Sequence, residues 1–343
     1  MRIQHQFLLC YSLFLLFLAT TTLISPSHGD LGKCHPSDFK ALMKMKNSIT
    51  MSQDVYSSWF QNTDCCNWIG ITCDDKTNRT VEIILFVGEI SGKIPPSVGD
   101  LSHLIGLTFR HFKNITGSIP QSITKLKHLV LLDLSDMSLS GPVPNFLNQL
   151  TLLNRLVLSN NQFSGSIPPN LSDLKNIRNI YLDGNKLTGS IPESFGKFTG
   201  TAPALYLARN KLTGPIPKSL GALAYSDIDL SRNKLTGDAS ILINPKHDLT
   251  TFIDLSRNQF EFDLSKVKFP KDLNWFDISH NKIFGAIPDE IKNLESLNQL
   301  KVGYNRLCGK IPTGGIMKRF KRTSFFHNKC LCGSPLLISC KKK

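Results

Sequence analysis

Apolar residues in this chain alternate over short stretches, and the alternation returns at a regular interval. The segment L-V-L-S-N-N-Q-F-S-G-S-I-P at 156–168 reappears as I-Y-L-D-G-N-K-L-T-G-S-I-P at 180–192 and L-Y-L-A-R-N-K-L-T-G-P-I-P at 205–217. F-D-I-S-H-N-K-I-F-G-A-I-P at 276–288 is a more distant copy. Gly92, Gly117, Gly141, Gly165, Gly189, Gly214, Gly237, Gly285 and Gly309 step by 23 to 25 residues, with a degenerate copy around Asn258 filling the one double gap. About ten repeats of roughly 24 residues result.

Each part of the repeat has a local job. Two Leu-type residues one apart point inward from a short strand while their neighbours point out. The Asn that follows (Asn161, Asn185, Asn210, Asn233, Asn258, Asn281, Asn305) supplies hydrogen bonds the bent backbone cannot make for itself. Gly permits positive φ, and Pro in Ile-Pro holds the far flank extended. A single repeat cannot bury its leucines, so neighbours stack into one core. The prediction is an α/β-type solenoid: a right-handed leucine-rich-repeat superhelix with a parallel concave sheet, roughly 45–50 Å long at about 4.8 Å per strand.

A solenoid needs its ends covered. Ser37 to Ile49 reads as an amphipathic helix with Ser37 as N-cap and Phe39, Leu42, Met43, Met45 and Ile49 available for burial. With Trp59, Trp68 and Cys65–Cys66 it makes an N-terminal cap over 30–79; the solenoid runs over 80–307, and 308–343 forms a C-terminal cap with a basic tail.

The cysteines place the chain in an oxidising compartment. Met1–Arg2 followed by the apolar run Phe7 to Leu18 and small residues up to Gly29 is the pattern of a secretory leader over 1–29, too short for a membrane span. Cys10 falls inside it. The other eight cysteines sit at the two ends, Cys34, Cys65, Cys66 and Cys73 against Cys308, Cys330, Cys332 and Cys340, with none between. That distribution predicts disulfide staples in each cap, Cys65 and Cys66 each pairing elsewhere than with one another. Cys330-x-Cys332 has the wrong spacing for a zinc knuckle. Export gives meaning to the acceptor sequons at Asn78, Asn114 and Asn170.

Lys and Arg outnumber Asp and Glu by 40 to 26, a formal charge of +14. Lys310, Lys318, Arg319, Lys321, Arg322, Lys329 and Lys341–Lys343 load the C-terminal end. Export disfavours nucleic acid as a partner, and leaves anionic lipid or an acidic polysaccharide as the expected polyanion.

The motif Asp64-Cys65-Cys66-Asn67-Trp68-Ile69-Gly70-Ile71-Thr72-Cys73 and the Leu-Thr-Gly-x-Ile-Pro repeats resemble plant extracellular leucine-rich-repeat proteins. Gly237-Asp238-Ala239-Ser240, Phe262 to Val267 and Asn328 to Pro335 resemble, more narrowly, the polygalacturonase-inhibiting proteins. The resemblance covers essentially the whole mature chain. It implies a second sheet beside the concave one, bridges Cys34–Cys65, Cys66–Cys73, Cys308–Cys330 and Cys332–Cys340, and binding of fungal or insect polygalacturonases in the plant cell wall, where de-esterified pectin is the polyanion expected to hold the basic C-terminal end; a monomer without cofactor is expected. Met137 stands where the ladder Asn belongs in the third repeat.

The concave face is where a partner is expected. Four positions before each Asn stand Val157, Tyr181, Tyr206, Asp229, Asp254, Asp277 and Lys301; one position before stand Asn160, Gly184, Arg209, Arg232, Arg257, His280 and Tyr304. With Asp183, Thr251, Phe252, Asn274 and Trp275, they offer the aromatic and Arg side chains enriched in protein-binding hot spots. The partner-binding set is Val157, Tyr181, Asp183, Tyr206, Arg209, Asp229, Arg232, Thr251, Asp254, Arg257, Trp275, Asp277 and His280. Asp229, Asp254 and Asp277 also invite a glycosidase reading, since column spacing approaches the retaining separation. The open face and the neighbouring Arg, expected to keep these acids ionised, speak against it. Nucleophile elbows, phosphate loops and zinc-binding motifs are absent from the sequence, and its nine His are scattered singly. Two alternatives share the scaffold: an ice-binding protein, which needs regularly spaced Thr or Asn on a flat exposed face, and a recognition module partnering a receptor kinase.

Overall fold

The computed structural model describes residues 34–52, 57–198, 202–247 and 249–340; the leader assigned to 1–29 lies outside them. From Cys34 onward the chain is one compact unit. Its concave sheet has eleven strands in chain order, from Ile71–Cys73 through Thr80–Leu85 to Gln299–Lys301. The first pair is antiparallel and each later pair parallel. A second sheet forms in segments of six, three and three strands. Hydrogen bonds from Lys211 N–H to the Leu187 carbonyl and from Thr213 N–H to the Gly189 carbonyl span its first break.

The core is the stack the repeat requires. Leu156, Leu158, Ile180, Leu182, Leu205, Leu207, Ile253, Leu255, Phe276, Ile278, Leu300 and Val302 are essentially inaccessible. Phe163, Phe195 and Phe260 fill the wider flank. The Asn ladder behaves as its sequence position demands. Asn210 Nδ2 donates to the carbonyls of Leu182, Leu207 and Ala208 at 2.9, 3.1 and 3.2 Å, and its Oδ1 accepts from Leu187 N–H at 3.0 Å. Met137 is buried in place of the missing Asn. The ladder also runs one step further than the repeat count. Asn328 donates to the carbonyls of Val302 and Phe325 and accepts from Leu307 N–H, so part of the C-terminal cap is itself a coil of the solenoid.

The N-terminal helix starts one residue early. It spans Pro36–Ser48, and His35 rather than Ser37 caps it, its Nδ1 accepting from Ser37 N–H. Proline explains the shift: its fixed φ and missing N–H suit the first helical position. Asp38 in the first turn is fully buried. Arg79 Nη2 donates to its Oδ1 at 2.8 Å, and Arg79 Nε and Thr80 N–H donate to its Oδ2 at 3.0 and 2.8 Å. That paired, hydrogen-bonded ion locks the helix to the first repeat. The four bridges are those the resemblance implies, with Cα–Cα separations of 5.4, 5.4, 4.3 and 5.1 Å from the N- to the C-terminal end. Among the described residues no helix is long and apolar enough to cross a membrane.

Candidate partner-binding face

Three-residue strands leave two outward positions per repeat. These are Arg155 and Val157, Asn179 and Tyr181, Ala204 and Tyr206, Asp227 and Asp229, Phe252 and Asp254, Trp275 and Asp277, Gln299 and Lys301. In-register parallel pairing aligns them into columns.

The structure sorts the sequence-derived residues into two groups. Asp183, Arg209, Asp229, Arg232, Asp254, Arg257, Asp277 and His280 line one hollow of about 570 Å³, together with Asn160, Lys301 and Tyr304. Tyr181, Tyr206 and Trp275 belong instead to an aromatic ladder. Tyr181 stacks on Tyr206 with centroids 4.7 Å apart, Tyr206 meets Phe252 at 6.2 Å, and Phe252 stacks on Trp275 at 5.4 Å. A cation closes each end: the Arg155 guanidinium lies 5.1 Å from the Tyr181 ring and the Lys301 ammonium 5.0 Å from that of Trp275. Arg155, Phe252 and Lys301 thus complete a unit that no single repeat reveals. Thr251 is exposed beside it. Val157 and Asp277, expected on the surface, are 7 % and 4 % accessible. Val157 is small and shaded by its neighbours, and Asp277 is covered as Lys301 folds over it, 3.3 Å from its carboxylate.

The basic column lies past the strand ends, not on them. Arg209, Arg232, Arg257, His280 and Tyr304 have φ of 54°, 55°, 56°, 58° and 58°, in the left-handed region. Such a conformation costs roughly 1–2 kcal/mol for a residue with a Cβ. It persists because each N–H is drawn to the next repeat: Arg209 to the Ser231 carbonyl at 2.8 Å, Arg232 to Ser256 at 2.8 Å and Arg257 to Ser279 at 2.9 Å. The sequence carried a hint, since Asn160 and Gly184 at equivalent positions are residues that tolerate this region. Gly184 has φ of 66°, and a Cβ there would fall 2.2 Å from Asn160 Oδ1.

The acidic column is tied into these turns. Ser231, Ser256 and Ser279 N–H each donate to the Asp two residues earlier at 2.9 Å. Among the described residues no ion pair joins Arg209, Arg232 or Arg257 to the column, and the expected Arg charge does not offset burial at Asp229 or Asp254. Burial pushes the Asp183 and Asp229 carboxyls up, and it raises Asp254 to about 6, with Asp277 and Asp229 adding to the effect. Desolvation outweighs the distant guanidinium charges. At the end of the hollow His280, Tyr304 and His327 stack with centroids 4.0 and 4.3 Å apart. Burial, followed by the charge of Arg257, holds the His280 imidazole below its ordinary range.

Comparison with known proteins agrees with this architecture. The leucine rich repeat N-terminal domain matches residues 35–74, and the Leucine Rich Repeat family matches 152–174, 176–198 and 272–294. Polygalacturonase inhibitor 2 of Arabidopsis thaliana is 56 % identical over 328 residues, 95 % of this chain and 98 % of its own length. The polygalacturonase inhibitor of Vitis vinifera is 53 % identical, covering 99 % and 100 %. A plant ice-binding protein of known crystal structure superposes with a TM-score of 0.87 at 43 % identity, over 90 % of this chain and 99 % of that one. With full-length relatives at this identity and the same capped solenoid, the chain belongs to the polygalacturonase-inhibitor family of leucine-rich-repeat proteins.

Proposed function

We propose that this protein is a secreted, non-catalytic inhibitor that binds fungal or insect polygalacturonases through its concave face and limits pectin breakdown in plant defence. The observation that carries the reading is the aromatic ladder from Tyr181 to Trp275, clamped by Arg155 and Lys301 and lying beside a charged hollow. Rigid aromatic rings with flanking cations bind protein surfaces at low entropic cost. The acids of the hollow hold hydrogen bonds to their own turns, a structural duty rather than a pair poised across a substrate bond.

The test is a reducing-sugar assay of several polygalacturonases acting on polygalacturonate, with and without the purified protein and its Arg232→Ala and Trp275→Ala variants. Dose-dependent inhibition weakened by both variants supports the reading; failure of the folded protein to inhibit any enzyme rejects it. The protein acts as a monomer in the cell wall on this reading. Lys310, Lys318, Arg319, Lys321, Arg322 and Lys329 are all exposed, which supports electrostatic retention on pectin. Retention that does not weaken with added salt overturns that part.

A second reading has one observation in its favour. Thr116, Ser140, Ser164, Thr188 and Thr213 recur, exposed, just before the Gly of successive repeats on the second-sheet strands, a regular spacing of hydroxyls, although the register pairs Thr116 with Ser138 and Ser164 with Lys186 instead of with one another. A thermal-hysteresis measurement decides it.

A further inference from the structure

The repeat brings together two histidines that stand 25 residues apart in sequence. His103 and His128 occupy equivalent positions in successive coils, just ahead of the concave strands Gly106–Phe109 and Leu131–Asp133. Both are exposed, and their rings lie 6.0 Å apart between centroids with 28° between planes. Neither belongs to the hollow or to the aromatic ladder.

His103 is held by more than surface chance. Its Nδ1 lies 3.2 Å from Ser102 Oγ. That oxygen accepts from Arg79 Nη2, also at 3.2 Å, and Arg79 is anchored on the fully buried Asp38. With Nδ1 carrying the proton, the Ser102 hydroxyl oxygen accepts from both Arg79 and His103 through its two lone pairs. That tautomer leaves the Nε2 lone pair of His103 free. The pattern, a ring N–H pinned to an oxygen with the other nitrogen open, is the usual support of a metal-ligating imidazole. The Arg79 charge is compensated by Asp38, which limits its repulsion of a nearby cation.

Ring spacing suits one shared ion. With metal–nitrogen bonds of about 2.0–2.1 Å, two imidazoles on one ion place their centroids roughly 5 to 6.5 Å apart, from tetrahedral to linear arrangement. With the His103 ring kept against Ser102, the exposed His128 ring turns about its side-chain bonds to bring a nitrogen to the shared ion. We propose that His103 and His128 form a two-imidazole site for a borderline divalent transition metal, with water completing the coordination and copper(II) bound most tightly. The site stands independently of the proposed inhibitory function.

Isothermal titration of the full mature protein with copper(II) at neutral pH, alongside His103→Asn, His128→Asn and the double variant, tests the site. Pulsed EPR of the copper-loaded protein counts bound imidazole nitrogens. The expected result is one ion per chain with two imidazoles. Each single variant loses at least tenfold in affinity, Ser102→Ala loses a smaller factor, and His280→Asn is unchanged. Equal affinity and stoichiometry in the double variant overturns the proposal, as does an EPR signal with a single imidazole that persists without His128.

Discussion

The phenol ring of Tyr181 lies 4.7 Å from that of Tyr206, one repeat on, with 17° between their planes. Each ring presses on the other, on Arg155 or on Phe252, so neither turns freely before a partner arrives. Preorganised aromatics of this kind carry a disproportionate share of interface energy. Tyr206→Ala is expected to weaken inhibition of a susceptible polygalacturonase about tenfold or more, a loss of about 1.4 kcal/mol or above. Progress curves at several inhibitor concentrations measure it, and a loss below twofold removes the ladder from the binding site.

Asn210 makes four hydrogen bonds to backbone groups that are otherwise cut off from water. Asn210→Ala takes the amide acceptor from Leu187 N–H, while the Leu182, Leu207 and Ala208 carbonyls keep donors in Asn185, Asn233 and Gly184. An unsatisfied buried group costs about 1–3 kcal/mol, and the variant should lose stability in that range while its concave side chains are untouched. Urea unfolding followed by circular dichroism checks this; an unchanged midpoint would show the ladder to be dispensable.

The Asp254 carboxyl titrates near 6 in the folded protein, above its unfolded value. The folded state therefore binds more protons than the unfolded state between about pH 4 and 6, and this residue's contribution to stability declines as pH rises through that window. Asp183 and Asp229 are shifted in the same direction. Asp254→Asn should gain stability relative to the parent protein as pH rises from 4 to 7. Unfolding midpoints of the two proteins compared across that range test the sign, and a constant difference would contradict the shift.

Three sequons are not equally open. Asn114 is exposed, whereas Asn170 is half-buried and its Nδ2 donates to the Asn145 carbonyl at 2.9 Å. Glycopeptide mass spectrometry of protein from a plant host should find Asn114 more fully occupied than Asn170. The reverse ranking would mean that modification precedes formation of that bond.

Much of this molecule is written in single repeats. The alternating leucines, the Asn that follows and the Gly with its Ile-Pro flank are local requirements of one coil, so Leu205, Leu207 and Asn210 declare their places without reference to any neighbour. Terminal cysteines marked the caps for the same reason: a solenoid exposes its core only at its ends. The tertiary structure alone decided what happens between coils. It set Arg209, Arg232 and Arg257 past the strand ends in a left-handed turn, because an N–H of one coil reaches a carbonyl of the next. It buried Asp277 beneath Lys301, raised Asp254 by crowding it among shaded neighbours, ran Tyr181, Tyr206, Phe252 and Trp275 into one stack, and set His103 beside His128. Residues 22 to 25 apart in sequence become neighbours only through stacking at about 4.8 Å per coil, and no pattern within one repeat contains that distance.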